Sequence, residues 1–169
     1  MKKKIVTELS IKSITETIQK LENYIKALNK GTDNAVKKAT ETLYKKVLEN
    51  CSKGNLGRFA GSIHKSYDEA KKEGRVWTDD LVIIINEFGS GIGGPSGDLD
   101  RGYAEKHGYQ IDMSGKGESG WAYPKQDGTY GWTHGIRSKK MFFEAYEEVK
   151  KEYKDIVNMS LNGEIGKLY

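Results

Sequence analysis

Cysteine is almost absent from this chain. The single thiol, Cys51, excludes an intramolecular disulfide framework and fits a reducing compartment. Long apolar runs are also missing. Nothing approaches the roughly 18 residues of a membrane span. The MKKK start leads into a stretch broken by Thr7, Glu8 and Ser10, which does not read as a secretory signal. Histidine is scarce and scattered. No two of His64, His107 and His134 stand at the short spacing of a metal motif, and Cys51 has no cysteine partner. There is no phosphate-cradling GxxxxGK[ST] and no GxSxG elbow. The Gly-x-Gly within Gly89–Gly94 is followed by Pro95-Ser96-Gly97 where a dinucleotide fingerprint needs a helix. The expectation is therefore a chain with no catalytic residue, no cofactor and no metal.

What is present is a charged, glycine-rich chain of 169 residues, most simply one domain. Only 36% of it is apolar and 31% is charged, which suits long polar helix faces or a subunit that completes its core by assembly. The net charge of +4 is unevenly spread. Residues 1–80 carry 17 basic and 11 acidic side chains, residues 81–135 carry 4 and 7, and residues 136–169 carry 7 and 6. A basic helical half and an acidic loop region are compatible with head-to-tail packing between subunits, and with weak nucleic-acid contact through the basic half.

Hydrophobic periodicity predicts an N-terminal helical hairpin within a mainly helical segment 1–64. Ile14, Ile18, Leu21, Ile25 and Leu28 form the stripe of a first helix over Ser13–Lys30, with Ser13 and Glu16 as a capping box and Gly31 as its stop. A second helix, capped by Asp33, follows with Val36, Ala39, Leu43 and Val47, and Ala35, Ala39 and Thr40 allow close approach. Residues 65–86 read as strands: Arg75–Thr78, then the Val/Ile run Leu81–Ile85 after an Asp79-Asp80 turn.

Thirteen of the 20 glycines lie between Gly89 and Gly135. Residues 89–118 lack periodicity and predict a long loop. Ordering such a loop costs on the order of 1 kcal/mol or more per residue, and it has few apolar anchors, so it is expected to order only against neighbouring subunits. Gly120–His134 reads as a β-hairpin around Asp127-Gly128, with Trp121 and Tyr123 on one arm and Tyr130 and Trp132 on the other. These aromatics form either the hairpin's own core face or contacts to a neighbour. A final helix spans Ser138–Leu161 with the stripe Phe142, Tyr146, Val149, Tyr153 and Ile156, and residues 162–169 read as a tail. The fold class is α+β: a helical hairpin and a C-terminal helix packed on a small, mostly antiparallel sheet with a long Gly-rich loop. Glu87 follows a run read as a strand and precedes glycines. It is either a catalytic carboxylate or a structural one bonded to the turn backbone, and the lack of a partner acid favours the structural role.

The order Glu87-Phe88-Gly89-Ser90-Gly91, Gly120-Trp121-Ala122-Tyr123, Gly131-Trp132-Thr133-His134-Gly135, Phe142-Phe143-Glu144-Ala145 resembles the tail-completion (head–tail joining) family of tailed phages, also found in prophages and phage-tail-like bacteriocins. The resemblance spans about Ser62 to Tyr153. It departs where the family often carries Lys at His134's place and Pro at Lys140-Met141. It implies a non-enzymatic virion protein of the tail or neck, assembled in the bacterial cytoplasm as a homo-oligomeric ring, commonly a hexamer. Its neighbours would be the tail-tube protein and neck, stopper or connector proteins. DNA would pass the lumen without specific binding, and no membrane is involved. Phe88, Gly89, Ser90, Gly91, Trp121, Tyr123, Trp132 and Gly135 are the candidate interface residues. Two other readings compete: a DNA-contacting connector of the phage neck or packaging conduit, and a small hydrolase acting through Glu87 and His134.

Overall fold

The computed structural model describes residues 11–91, 103, 105–108, 119–125 and 127–169. It is an α+β protein dominated by two long helices. The first, α1 (Ile11–Lys53), runs unbroken for 43 residues, about 64 Å at 1.5 Å per residue. The predicted helical hairpin is thus a single helix. Gly31, read as a stop, is buried mid-helix against the C-terminal helix. A β-carbon on it would lie 2.9 Å from Leu161 Cδ2 and 3.1 Å from Leu161 Cα. It is a point of close helix approach, a role glycine fills as readily as a stop. Asp33 caps nothing. It accepts a 2.8 Å hydrogen bond from the Tyr67 hydroxyl and an ion pair from Lys72. Ser13 is likewise already inside the helix.

A 3₁₀ turn (Gly57–Ser62) leads into the antiparallel hairpin of β1 (Ile63–Asp68) and β2 (Glu73–Thr78), in register from Ile63↔Thr78 to Asp68↔Glu73. The hairpin rests on α1: a β-carbon on Gly74 would fall 1.7 Å from Thr40 Oγ1. The Val/Ile run expected as a strand is a helix, α2 (Leu81–Phe88). Signals at both ends override its β propensity. The Asp80 carboxylate caps the start, accepting from Val82 N at 2.8 Å. Gly89, at φ 81°, ends the helix by donating its N–H to Ile85 O at 2.7 Å.

Beyond α2, β3 (Ser90–Gly91) pairs with β6 (Gly135–Ile136), and β4 (Trp121–Pro124) pairs with β5 (Tyr130–Thr133). The second pair is the hairpin expected around Asp127-Gly128: Gly128 has φ 81° and Thr129 N bonds Asp127 Oδ1 at 2.9 Å. The expectation about loop 89–118 falls mostly outside the described residues. The last helix, α3 (Met141–Ile165), is followed by a 3₁₀ turn (Gly166–Leu168), so the predicted tail is helical. It is held to α1 through buried Glu164, which accepts from Asn34 Nδ2 at 3.2 Å and pairs with Lys30 and Lys167.

The core lies where α1, α2, α3 and β1 meet, around Val47, Cys51, Ile63, Ile83, Met141 and Ala145. The small residues Ala35, Ala39 and Thr40 of α1 are buried, as expected. The stripe of α3 differs from its expected course. Val149 and Ile156 are buried together with Met141 and Ala145, while Tyr146 and Tyr153 are exposed. A close helix pair takes its small residues inward and turns large aromatics to its margin.

Candidate functional site

The site region starts at the end of α2. Glu87 is buried there, 4% exposed, and its carboxylate reaches the first turn of α3. Oε2 accepts from Phe142 N at 2.8 Å, and Oε1 from Phe143 N at 2.9 Å and from the Tyr103 hydroxyl at 2.9 Å. Helix α3 has no cap of its own: Lys140 precedes it at φ 52° and makes no side-chain cap bond. Glu87 therefore caps α3 from 54 residues upstream, satisfying N–H groups that the helix itself leaves open and placing a negative charge at its positive end. Burial pushes the carboxyl above its usual range, and the donors from Phe142, Phe143 and Tyr103 pull partly back. The structural role expected for Glu87 holds, although its partner is the N-terminus of a distant helix rather than the adjacent turn.

Ser138, where the last helix was expected to begin, lies ahead of α3. Its hydroxyl donates to Glu87 O, and Lys139 N donates to Asn86 O at 2.6 Å. The approach to α3 is thereby strapped along the end of α2. Ser90↔Ile136 and Gly91↔Gly135 complete that strap. Gly91 and Gly135 thus stand side by side in a two-residue ladder, and the aromatic hairpin lies between them in sequence. Gly135 sits at φ 116° and Gly89 at φ 81°, so these two of the three candidate glycines hold backbone shapes that a side chain would strain.

The candidate aromatics divide into two groups. Phe88 is half-buried and stacks on Tyr103, with centroids 5.2 Å apart; Tyr103 also meets Phe143 at 5.0 Å and His107 at 4.8 Å. This cluster lines an open groove of about 870 Å³ between β2, α2 and the start of α3. Phe88 is thus engaged within its own subunit. On the hairpin, the register puts Trp121 and Tyr123 on one face, opposite Thr133 and Gly131, and Tyr130 and Trp132 on the other, opposite Pro124 and Ala122. The aromatics do not pair directly across the strands. Tyr123 lies over Gly131, where a β-carbon would meet its ring at 2.6 Å, and Trp132 covers Gly120 in the same way at 2.4 Å. Yet Trp132 is 64% exposed, Tyr130 73% and Tyr123 42%. The face carrying Tyr130 and Trp132 is not a core face of this subunit.

Sequence reading named neither Tyr103, which no spacing links to Glu87, nor Tyr130 as a site residue. His134 and Glu87 were paired in the hydrolase reading, and the partners of the Glu87 carboxylate are the two backbone N–H groups and Tyr103. No His/Cys/Asp/Glu cluster able to hold a metal occurs among the described residues, and no described helix is long and apolar enough to cross a membrane. The chain matches no protein-family model, no curated protein and no solved structure.

Proposed function

We propose that this protein is a structural ring subunit at the head-proximal end of a phage tail or phage-tail-like particle, acting in tail completion or head–tail joining. The observation that carries the assembly reading is the hairpin, whose strands β4 and β5 carry Tyr130 and Trp132 largely in solvent. Large amphipathic aromatics open to solvent, with Trp132 backed by Gly120, are what interface cores are built from. The sequence resemblance supplies the particle and the ring. The ring's other contacts, to the tail tube and to neck proteins, are part of the same proposal.

The DNA-contacting alternative draws less support from the charges. Many lysines of the helical half are paired with acids: Lys46 with Glu148 and Glu152, Lys53 with Glu49, Lys37 with Glu69 and Lys30 with Glu164. A phosphate backbone would have to compete with each pair.

Light scattering and negative-stain microscopy of the purified protein, alone and with its tail-tube protein, test the proposal. A ring, alone or on tube ends, is expected. Trp132→Ala should lose the ring while its urea midpoint stays close to the parent's. Protein that ignores tubes at every concentration would refute the proposal, as would a ring indifferent to Trp132→Ala and Tyr130→Ala together.

A further inference from the structure

The N-terminal part of α1 reaches beyond the body of the subunit. Its packing against α3 begins near Ala27, which is buried, and Gly31, which touches Leu161. Residues 12–26, about 22 Å of helix, are exposed at every described position except Ser13, which is intermediate. Along this overhang Ile14, Ile18, Leu21 and Ile25 are 44% to 58% exposed. An isolated helix of this length is marginal in water without a packing partner.

The spacing of the stripe limits what the partner can be. Ile14, Ile18, Leu21, Ile25 and the half-buried Leu28 alternate at four and three residues, an unbroken a/d repeat. At 3.6 residues per turn these five side chains span roughly 80°, the width of a coiled-coil seam, and Tyr24, 40% exposed, flanks them at a g position. Ile18 and Ile25 take the a positions and Leu21 and Leu28 two of the d positions, the pattern that favours two parallel strands. The flanks agree. In a parallel pair Thr17 meets the other copy's Glu22 and Tyr24 meets its Asn29, so no like charges oppose each other. Lys12, Glu16, Lys20 and Lys26 all fall on the outer positions. A strongly charged partner would find nothing on the a/d seam to hold, whereas an identical copy meets an apolar seam flanked by rows with no like-charge contact.

We propose that residues 14–28 pair with the same residues of a second copy as a short parallel two-stranded coiled coil. The contact does not rest on the ring proposal. Trp132→Ala tests that one and leaves this seam intact.

The test uses the full chain. Ile14→Cys under mild oxidation is expected to give a disulfide-linked dimer, because a parallel pair sets position 14 against itself; native Cys51 is fully buried and gives no background. Lys20→Cys, on the outer face, should cross-link at least about tenfold more slowly. Adding Ile18→Lys to Ile14→Cys should abolish the cross-link while leaving the thermal midpoint of the subunit unchanged. In sedimentation equilibrium of the Trp132→Ala chain, the mass should rise from 19.0 kDa toward twice that value with concentration, and Ile18→Lys should weaken this association by about tenfold or more. Absence of the Ile14→Cys dimer overturns the pairing, as does a dimer that Ile18→Lys leaves unchanged. Co-sedimentation with anionic vesicles that Ile18→Lys abolishes, with no cross-link, would assign the stripe to a lipid surface and overturn it too.

Discussion

Replacing Glu87 should weaken the whole fold, because it is the cap of a helix that has none of its own. In Glu87→Ala the N–H groups of Phe142 and Phe143 lose their acceptor, and so does the Tyr103 hydroxyl. Hydrogen bonds to a charged group contribute about 1.5–3 kcal/mol each, and relief of a desolvated charge offsets part of that. The net loss should be about 3 kcal/mol, which for a chain of this size lowers Tm by roughly 6–12 °C. Glu87→Gln keeps one acceptor oxygen but turns an NH₂ toward a donor, so it should lose about 1–2 kcal/mol. Urea unfolding followed by tryptophan fluorescence reads both. The pH dependence is a second check. Burial raises the folded-state carboxyl pKa above the ordinary 4.5. The folded protein then binds this proton more tightly than the unfolded chain does. The resulting stability is fully present below about pH 4.5 and is lost as pH rises through the folded value. Glu87→Gln lacks this titration, so the parent's lead over it should shrink as pH rises above about 4.5. A Glu87→Ala variant within about 0.5 kcal/mol of the parent would refute the capping role. A lead that grows with pH would show that the helix N–H groups outweigh burial.

Other consequences are as direct. Alanine replacing glycine inside a helix ordinarily gains about 1 kcal/mol. Gly163→Ala should show that gain, since nothing lies within 4 Å of its β-carbon, whereas Gly31→Ala should lose stability against Leu161; equal effects in thermal denaturation would contradict the close approach of α1 and α3. Cys51 is fully buried and its thiol is pushed up to about 11 by burial. At neutral pH a thiol reagent should therefore modify the native protein at least about 100-fold more slowly than the urea-unfolded chain. Comparable rates would place Cys51 outside the core.

Much of the fold was legible because its signals are local. The Asp127-Gly128 hairpin, the strand at Arg75–Thr78 and the existence of the last helix, though not its Ser138 start, follow from turn dipeptides and from periodicity within one or two turns of chain. The exposed aromatics of the candidate site were visible as residues. Their exposure was not, since it depends on which hairpin face is left without a neighbour.

Composition and local pattern by themselves determined an α+β chain with amphipathic helices and a glycine-rich aromatic excursion. Tertiary structure decided the rest. Gly31 became a contact instead of a stop because Leu161, 130 residues away, lies against it. The Val/Ile run became a short helix because Asp80 and Gly89 closed both its ends and Ile83 was needed in the core. Glu87 became a helix cap because folding carried the first turn of α3 to its carboxylate. Each of these outcomes turns on what stands opposite a residue in space, and a one-dimensional pattern holds no record of that.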